Sequence, residues 1–205
     1  MELVGKNKVV FGPRTLYEAY FGYRNIFIDI SMVVLSVVFM AIMANIRIPL
    51  WPVPITMQTF GVFLIAFFFG SRKGVVSILA YILAGVLGFG VFAGYKSGFA
   101  AIMGPTGGYI IGFLFAVFFV GYLIERGYGR TKMSVFVCMV IGNIIIYFFG
   151  LIGLRLYFQN ASFFKILTMG LFPFLVGDFL KILGAVYLFP YLWKGSERFR
   201  ITRQS

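Results

Sequence analysis

The sequence predicts an all-α integral membrane protein, a bundle of six transmembrane helices, and three observations carry that prediction. Apolar residues make up 61% of the 205 positions and charged residues only 12%, a balance typical of chains dissolved in lipid. The apolar residues run in blocks, and six blocks of roughly 20 residues, each able to cross a hydrocarbon layer about 30 Å thick, use up most of the chain. Basic residues gather in alternate connections between those blocks. One domain fits this length, and no soluble catalytic domain fits in the remainder.

Taken in order, the spans fall at 26–46, 55–69, 75–92, 109–124, 133–158 and 174–192. Residues 1–25 have no short apolar core with a small-residue cleavage site, and mix aromatic with basic side chains, which reads as a cytoplasmic or interfacial lead-in. The second span is short and follows "PLWPVP" (49–54), so it is either tilted or preceded by an extended proline segment that dips into the bilayer. The third connection, "GYKSGFAAIMGPTGG" (94–108), is long, glycine-rich and half apolar, as a lid over a pocket would be, or a loop packed on neighbouring spans. Pro105 and Thr106 form a helix start whose first N–H groups are free for an anionic or carbonyl-bearing ligand. Residues 194–205 form a basic tail.

The net charge of +12 would point to nucleic acid if it formed one patch, but it is dispersed among the connections. Lys6, Lys8, Arg14 and Arg24 precede the first span; Arg72 and Lys73, then Arg126, Arg130 and Lys132, occupy the second and fourth connections. Lys194, Arg198, Arg200 and Arg203 follow the last span, while the alternate connections hold only Arg47, Lys96 and Lys165. The positive-inside rule therefore predicts a multi-pass cell-membrane protein with both termini in the cytoplasm.

Two phosphate-binding patterns are imitated and rejected. "GFGVFA" (88–93) satisfies a loose dinucleotide fingerprint but ends a bilayer span, not a strand, and "GVFAGYKS" (90–97) puts Tyr95 where a P-loop needs its second glycine. The chain has no histidine and a single cysteine, Cys138. No metal cluster, closely spaced carboxylate pair or ATP motor emerges, so an enzyme is not expected.

The chemistry concentrates in "FPFLVGDFLKILGAVYLF" (172–189). Asp178 and Lys181 are three residues apart and share one helical face. A charge near mid-span costs about 2.5–3.5 kcal/mol on insertion scales. The pair is read either as a mutual ion pair or as a site where Asp accepts ligand N–H groups and Lys donates to a ligand oxygen. Gln58, Thr59 and Asn143 read as helix-to-helix hydrogen bonds, with Asn143 kept among the binding candidates. Asp29 sits at an interface, and Arg155 can snorkel.

The ordered stretches "PVPITMQT" (52–59), "GSRKG" (70–74), "VFAG" (91–94), "GPTGGY" (104–109), "GNIIIYFFG" (142–150) and "GDFLK" (177–181) resemble BioY. That family is the biotin-binding S component of energy-coupling factor (ECF) transporters, and the likeness covers about residues 26–193. The resemblance implies a six-helix bundle of the ECF S-component type, with a vitamin pocket facing outward under the loops after the first and third spans. It implies biotin as ligand, no cofactor, and as partners the transmembrane coupling protein EcfT and ABC-type ATPases that use the ATP. Asp178 and Lys181 match the family's Asp-x-x-Lys. Lys96, or the helix start at Thr106 and Gly107, would answer the opposite charge or carbonyl, and Phe92, Gly94 and Tyr109 would form wall and lid. An S component for another small metabolite and a stand-alone carrier driven by protons through Asp178 are the alternatives. Gly90 and Val176 replace expected prolines, and Arg155 stands near a usual tryptophan. The first span lacks a clean Ala-x-x-x-Ala docking patch, leaving Ser36, Ala41 and Ala44 as a looser small-residue face.

Overall fold

The computed structural model describes residues 14–21 and 26–204, with side chains up to Ser196. Lys6, Lys8 and Arg24 lie outside the described residues, as do the side chains of Arg198, Arg200 and Arg203. A short helix α1 (Leu16–Phe21) precedes α2 (Ile26–Asn45); a small hairpin of β1 (Arg47–Ile48) and β2 (Ile55–Thr56) follows. Then come α3 (Gln58–Val86), α4 (Phe99–Ile102), α5 (Gly107–Glu125), α6 (Lys132–Tyr157), α7 (Phe163–Gly170) and α8 (Phe172–Gln204). Among the described residues, five helical segments are long and apolar enough to cross a membrane. The chain is an all-helical, multi-pass membrane protein apart from the four strand residues.

The second and third predicted spans are both inside α3, which is not straight. Gly70 has φ 74° and ψ −163°, a combination that only glycine adopts readily. The chain folds back there: Gln58 Nε2 donates to the Tyr81 hydroxyl at 2.9 Å, whereas 23 residues of straight helix would part them by about 34 Å. The arms 58–69 and 71–86 are therefore separate crossings, which brings the count to six. Glu125, at the end of α5, closes the elbow by accepting from the Ser71 N–H at 2.7 Å and from its hydroxyl at 2.9 Å.

Several boundaries move, one of them the end of the last helix, which runs on to Gln204 instead of stopping at residue 192. The second crossing starts at Gln58, not residue 55, because residues 55–56 pair with 47–48 in register Arg47↔Thr56 and Ile48↔Ile55. The third ends at Val86, not residue 92. Phe92 instead pairs with Lys96 in an isolated bridge, since glycines at 88, 90 and 94 give helix no support. The prolines of residues 49–54 occupy the loop of the small hairpin, where no helical N–H is missed.

The arms of α3, with α5 and α6, form the centre; α8 packs on α6, and α1 reaches α8 and α3. The second arm's Tyr81 and Ile78 and the α5 residues Ala116, Val117 and Val120 are completely buried. Helix α2 is peripheral, packing on α3 and β2. Its Ser36, Met40 and Ala44 face inward. Of the small-residue face read as a docking patch, Ser36 and Ala44 are thus buried inward, whereas Ala41 is half-buried and lines an outer groove; the free face carries Val34, Leu35, Val38 and Ile42. Small residues let helix backbones approach closely, and here α3 is the partner.

Tyr17 of α1 donates to Asp29 Oδ1, which also takes the Lys73 ammonium at 2.5 Å. The ammonium sits 3.7 Å from the Tyr17 ring centroid. Burial first, and the Asp29 carboxylate second, push the Tyr17 hydroxyl up to about 12, so it stays a donor at physiological pH. Arg155 bonds the carbonyls of Phe158 and Gln159 at the end of α6, and Cys138 is a fully buried core residue.

Candidate functional site

Local helical spacing puts Asp178 and Lys181 on one face of α8, and the fold then brings three other elements to them. The Lys181 ammonium lies 2.6 Å from Asp178 Oδ1. It also donates to the Thr56 carbonyl of β2 at 2.7 Å and to Thr59 Oγ1 of α3 at 3.0 Å. All three ammonium protons are thereby placed. Thr59 in turn donates to Asp178 Oδ1 at 3.1 Å, and the Tyr147 hydroxyl of α6 donates to Oδ2.

The pair is buried, with side chains 11% and 7% exposed. Two charges removed from water hold together only with such additional hydrogen bonds. Oδ1 carries two donors and Oδ2 one, leaving Oδ2 with an acceptor direction to spare. The acid and base are therefore paired and at the same time face open space.

That space is a cavity of about 160 Å³ with Asp178 and Lys181 in its lining. Its apolar walls include Phe113, Ile110, Ile146 and Phe174. Tyr109 supplies another wall, fixed by donation from its hydroxyl to the Gly170 carbonyl at 2.6 Å. Phe92 closes one side, edge-on to Tyr81 at 5.5 Å between centroids. Arg47, Lys96 and Trp51 line the cavity too, and all three are exposed. The lining is thus graded, with an acid–base pair sealed at depth and two cations at the open side.

The structure brings most of the sequence candidates together here. Asp178, Lys181, Lys96, Phe92, Thr106 and Tyr109 line the cavity; Gly94, Gly107 and Asn143 do not. The Gly94 N–H is taken by Asn45 Oδ1 at 3.0 Å, and a Cβ at Gly94 would stand 3.0 Å from the Arg47 guanidinium. Gly107 is a packing residue, since a Cβ there would stand 1.7 Å from the Ile102 carbonyl oxygen. Its N–H already bonds the Gly104 carbonyl at 3.0 Å. Asn143 is buried one helical turn before Tyr147, and its Oδ1 has no hydrogen-bond partner. The helix-to-helix bond expected of it is absent at that atom. Gln58 makes such a bond, to Tyr81, and Thr59 makes one while also lining the cavity.

Sequence reasoning missed Tyr147, Arg47, Thr56 and Trp51. Tyr147 carried a usable signal: a phenol inside an apolar span needs a partner for its hydroxyl. Arg47 was read only as a loop charge, and Thr56 participates through its backbone, which no side-chain pattern discloses.

A membrane bundle with a charged floor, aromatic walls and a cationic mouth defines the class: a small-molecule-binding membrane subunit. The pattern that defines the BioY family matches residues 15–198, and the chain belongs to the BioY family. It is 38% identical over 160 residues to a probable biotin transporter BioY of Pyrococcus horikoshii, covering 78% of this chain and 93% of that one. It is 35% identical over 146 residues to the biotin transporter BioY of Thermotoga maritima, covering 71% and 83%. A crystal structure of the S-component for biotin from an ECF-type ABC transporter superimposes with a TM-score of 0.71 at 26% identity, covering 82% of this chain and 92% of that one.

Proposed function

We propose that this chain is the biotin-capturing S component of an ECF-type transporter and that the α8 cavity is its binding site. The observation that carries the reading is the buried Asp178–Lys181 pair at the floor of a cavity of about 160 Å³. Biotin offers two ureido N–H donors, a ureido carbonyl, an apolar ring and a carboxylate. The spare acceptor on Asp178 suits a ureido N–H, and the Lys181 ammonium, by exchanging one of its present acceptors, suits the ureido carbonyl. The aromatic and aliphatic walls suit the ring, and Arg47 and Lys96 at the mouth suit the carboxylate.

Biotin enters from the outer side in this reading, with both termini cytoplasmic, because Arg72, Lys73, Arg126, Arg130 and Lys132 lie at the opposite end of the bundle from the mouth. Its partners are EcfT and a pair of ABC-type ATPases, and the free face of α2 offers an apolar surface to the former.

Equilibrium binding of labelled biotin to purified protein tests the site. Asp178→Asn and Lys181→Ala each cripple capture without preventing membrane insertion; wild-type affinity in both variants refutes the assignment.

A further inference from the structure

The turn that presents Phe92 and Lys96 to the cavity has a backbone that its own sequence disfavours. Gly94 has φ 76° and Tyr95 has φ 57°. Tyr95 is the one non-glycine residue with positive φ among the described residues, and a Cβ makes that region unfavourable. The residue is 75% exposed, so burial does not hold it there.

What meets the turn is Asn45, the last residue of α2. Its Oδ1 accepts from the Gly94 N–H at 3.0 Å and from the Tyr95 N–H at 3.1 Å. Its Nδ2 donates to the Ala41 carbonyl one turn back at 2.8 Å. The three partners agree on the amide's orientation, because only the oxygen can serve two N–H groups and only the nitrogen a carbonyl. Asn45 and Tyr95 both line an apolar groove on the outside of the bundle, separate from the binding cavity. Nearby, the Phe92 N–H meets the Lys96 carbonyl at 3.1 Å, the Gly98 N–H meets the Gly85 carbonyl at 2.7 Å, and Tyr81 donates to the Val91 carbonyl at 3.1 Å. Both ends of the turn are tied to α3, while its tip is tied to α2 by Asn45.

We propose that Asn45 is a positioning residue for biotin retention: it holds the Gly94–Tyr95 tip in its left-handed form from behind, and so keeps Phe92 and Lys96 against the ligand. The proposal rests on the reading of the cavity as a biotin site. Because α2 packs on α3 and β2 alone among the larger contacts, a shift of α2 also moves this latch. Closure of the cavity wall is thereby coupled to the position of α2, the least buried of the long helices.

The test uses the full-length protein in lipid nanodiscs. Asn45→Ala speeds release of labelled biotin about tenfold, the effect of losing two modest hydrogen bonds, with little change in association rate. Asn45→Asp keeps the acceptor for both N–H groups and stays near the wild-type release rate. Tyr95→Asn in the Asn45→Ala background recovers part of the loss, since asparagine tolerates positive φ. An unchanged release rate in Asn45→Ala overturns the proposal. Hydrogen exchange tests the latch without any variant: the Gly94 and Tyr95 amides of the wild type are protected, and exchange as fast as that of open loops overturns it. Wild-type protein that fails to bind biotin defeats the functional reading instead, while the exchange measurement still judges the latch.

Discussion

Tyr147 and Asp178 meet across α6 and α8, where the phenol donates to Asp178 Oδ2 while Lys181 and Thr59 hold Oδ1. A carboxylate shared out in this way keeps its orientation toward the cavity without becoming inaccessible. Tyr147→Phe removes one charge-assisted bond and little volume. We expect biotin affinity, measured by isothermal titration, to fall about tenfold, and the empty protein to lose about 1–3 kcal/mol of stability because buried Asp178 Oδ2 is left without its donor.

The acid–base pair separates binding from stability. Lys181→Met leaves Asp178 buried and unpaired, a change that typically destabilises by about 3–5 kcal/mol. The double variant Asp178→Asn, Lys181→Met removes both charges and regains most of that loss. Thermal unfolding in detergent should show the recovery, while biotin binding stays absent in both. A single variant as stable as the double one would mean that the pair is not buried as described.

A second chain of bonds runs from the start of α3 to the cavity wall: Gln58 Nε2 to the Tyr81 hydroxyl, and that hydroxyl to the Val91 carbonyl at 3.1 Å. Tyr81→Phe strands a buried amide and a carbonyl together, so a loss of about 1–3 kcal/mol in stability is expected. Calorimetry would register it, and Gln58→Leu added to Tyr81→Phe should restore part of it by removing the stranded amide.

The elbow at Gly70 depends on a residue without a side chain. Besides its positive φ, a Cβ there would lie 2.4 Å from Glu125 Oε1 and 2.8 Å from Thr15 Cγ2. Gly70→Ala should therefore reduce the yield of folded protein sharply, as assessed by size-exclusion profile. Gly88→Ala, which has open space around it but φ 105°, carries only the backbone penalty, of order 1–3 kcal/mol.

Hydropathy disclosed where the chain crosses, because burial in lipid acts on each block of residues locally. It misplaced the start of the second crossing and the end of the third, since a hydropathy profile does not distinguish the strand at residues 55–56, or the loop around Phe92, from a turn of helix. For the site, the i,i+3 spacing made Asp178 and Lys181 legible as neighbours on one face, and the intramembrane charges marked them as important. Thr106 was legible as a helix start, Lys96, Phe92 and Tyr109 came through the resemblance to BioY, and all four line the cavity. Gly94 and Gly107 shared its motifs yet serve backbone geometry and packing.

The sequence by itself determined that this is a multi-pass membrane protein with one acid and one base on a common helical face, because hydropathy and helical periodicity are properties of contiguous residues. Only the tertiary structure decided that Thr56, Thr59 and Tyr147 would complete that pair, that Arg47 would join Lys96 on the cavity lining, and that Asn45 would stand behind Tyr95. Those contacts join residues 31 to 125 positions apart, and their formation depends on how helices fold back and pack, which no local pattern encodes.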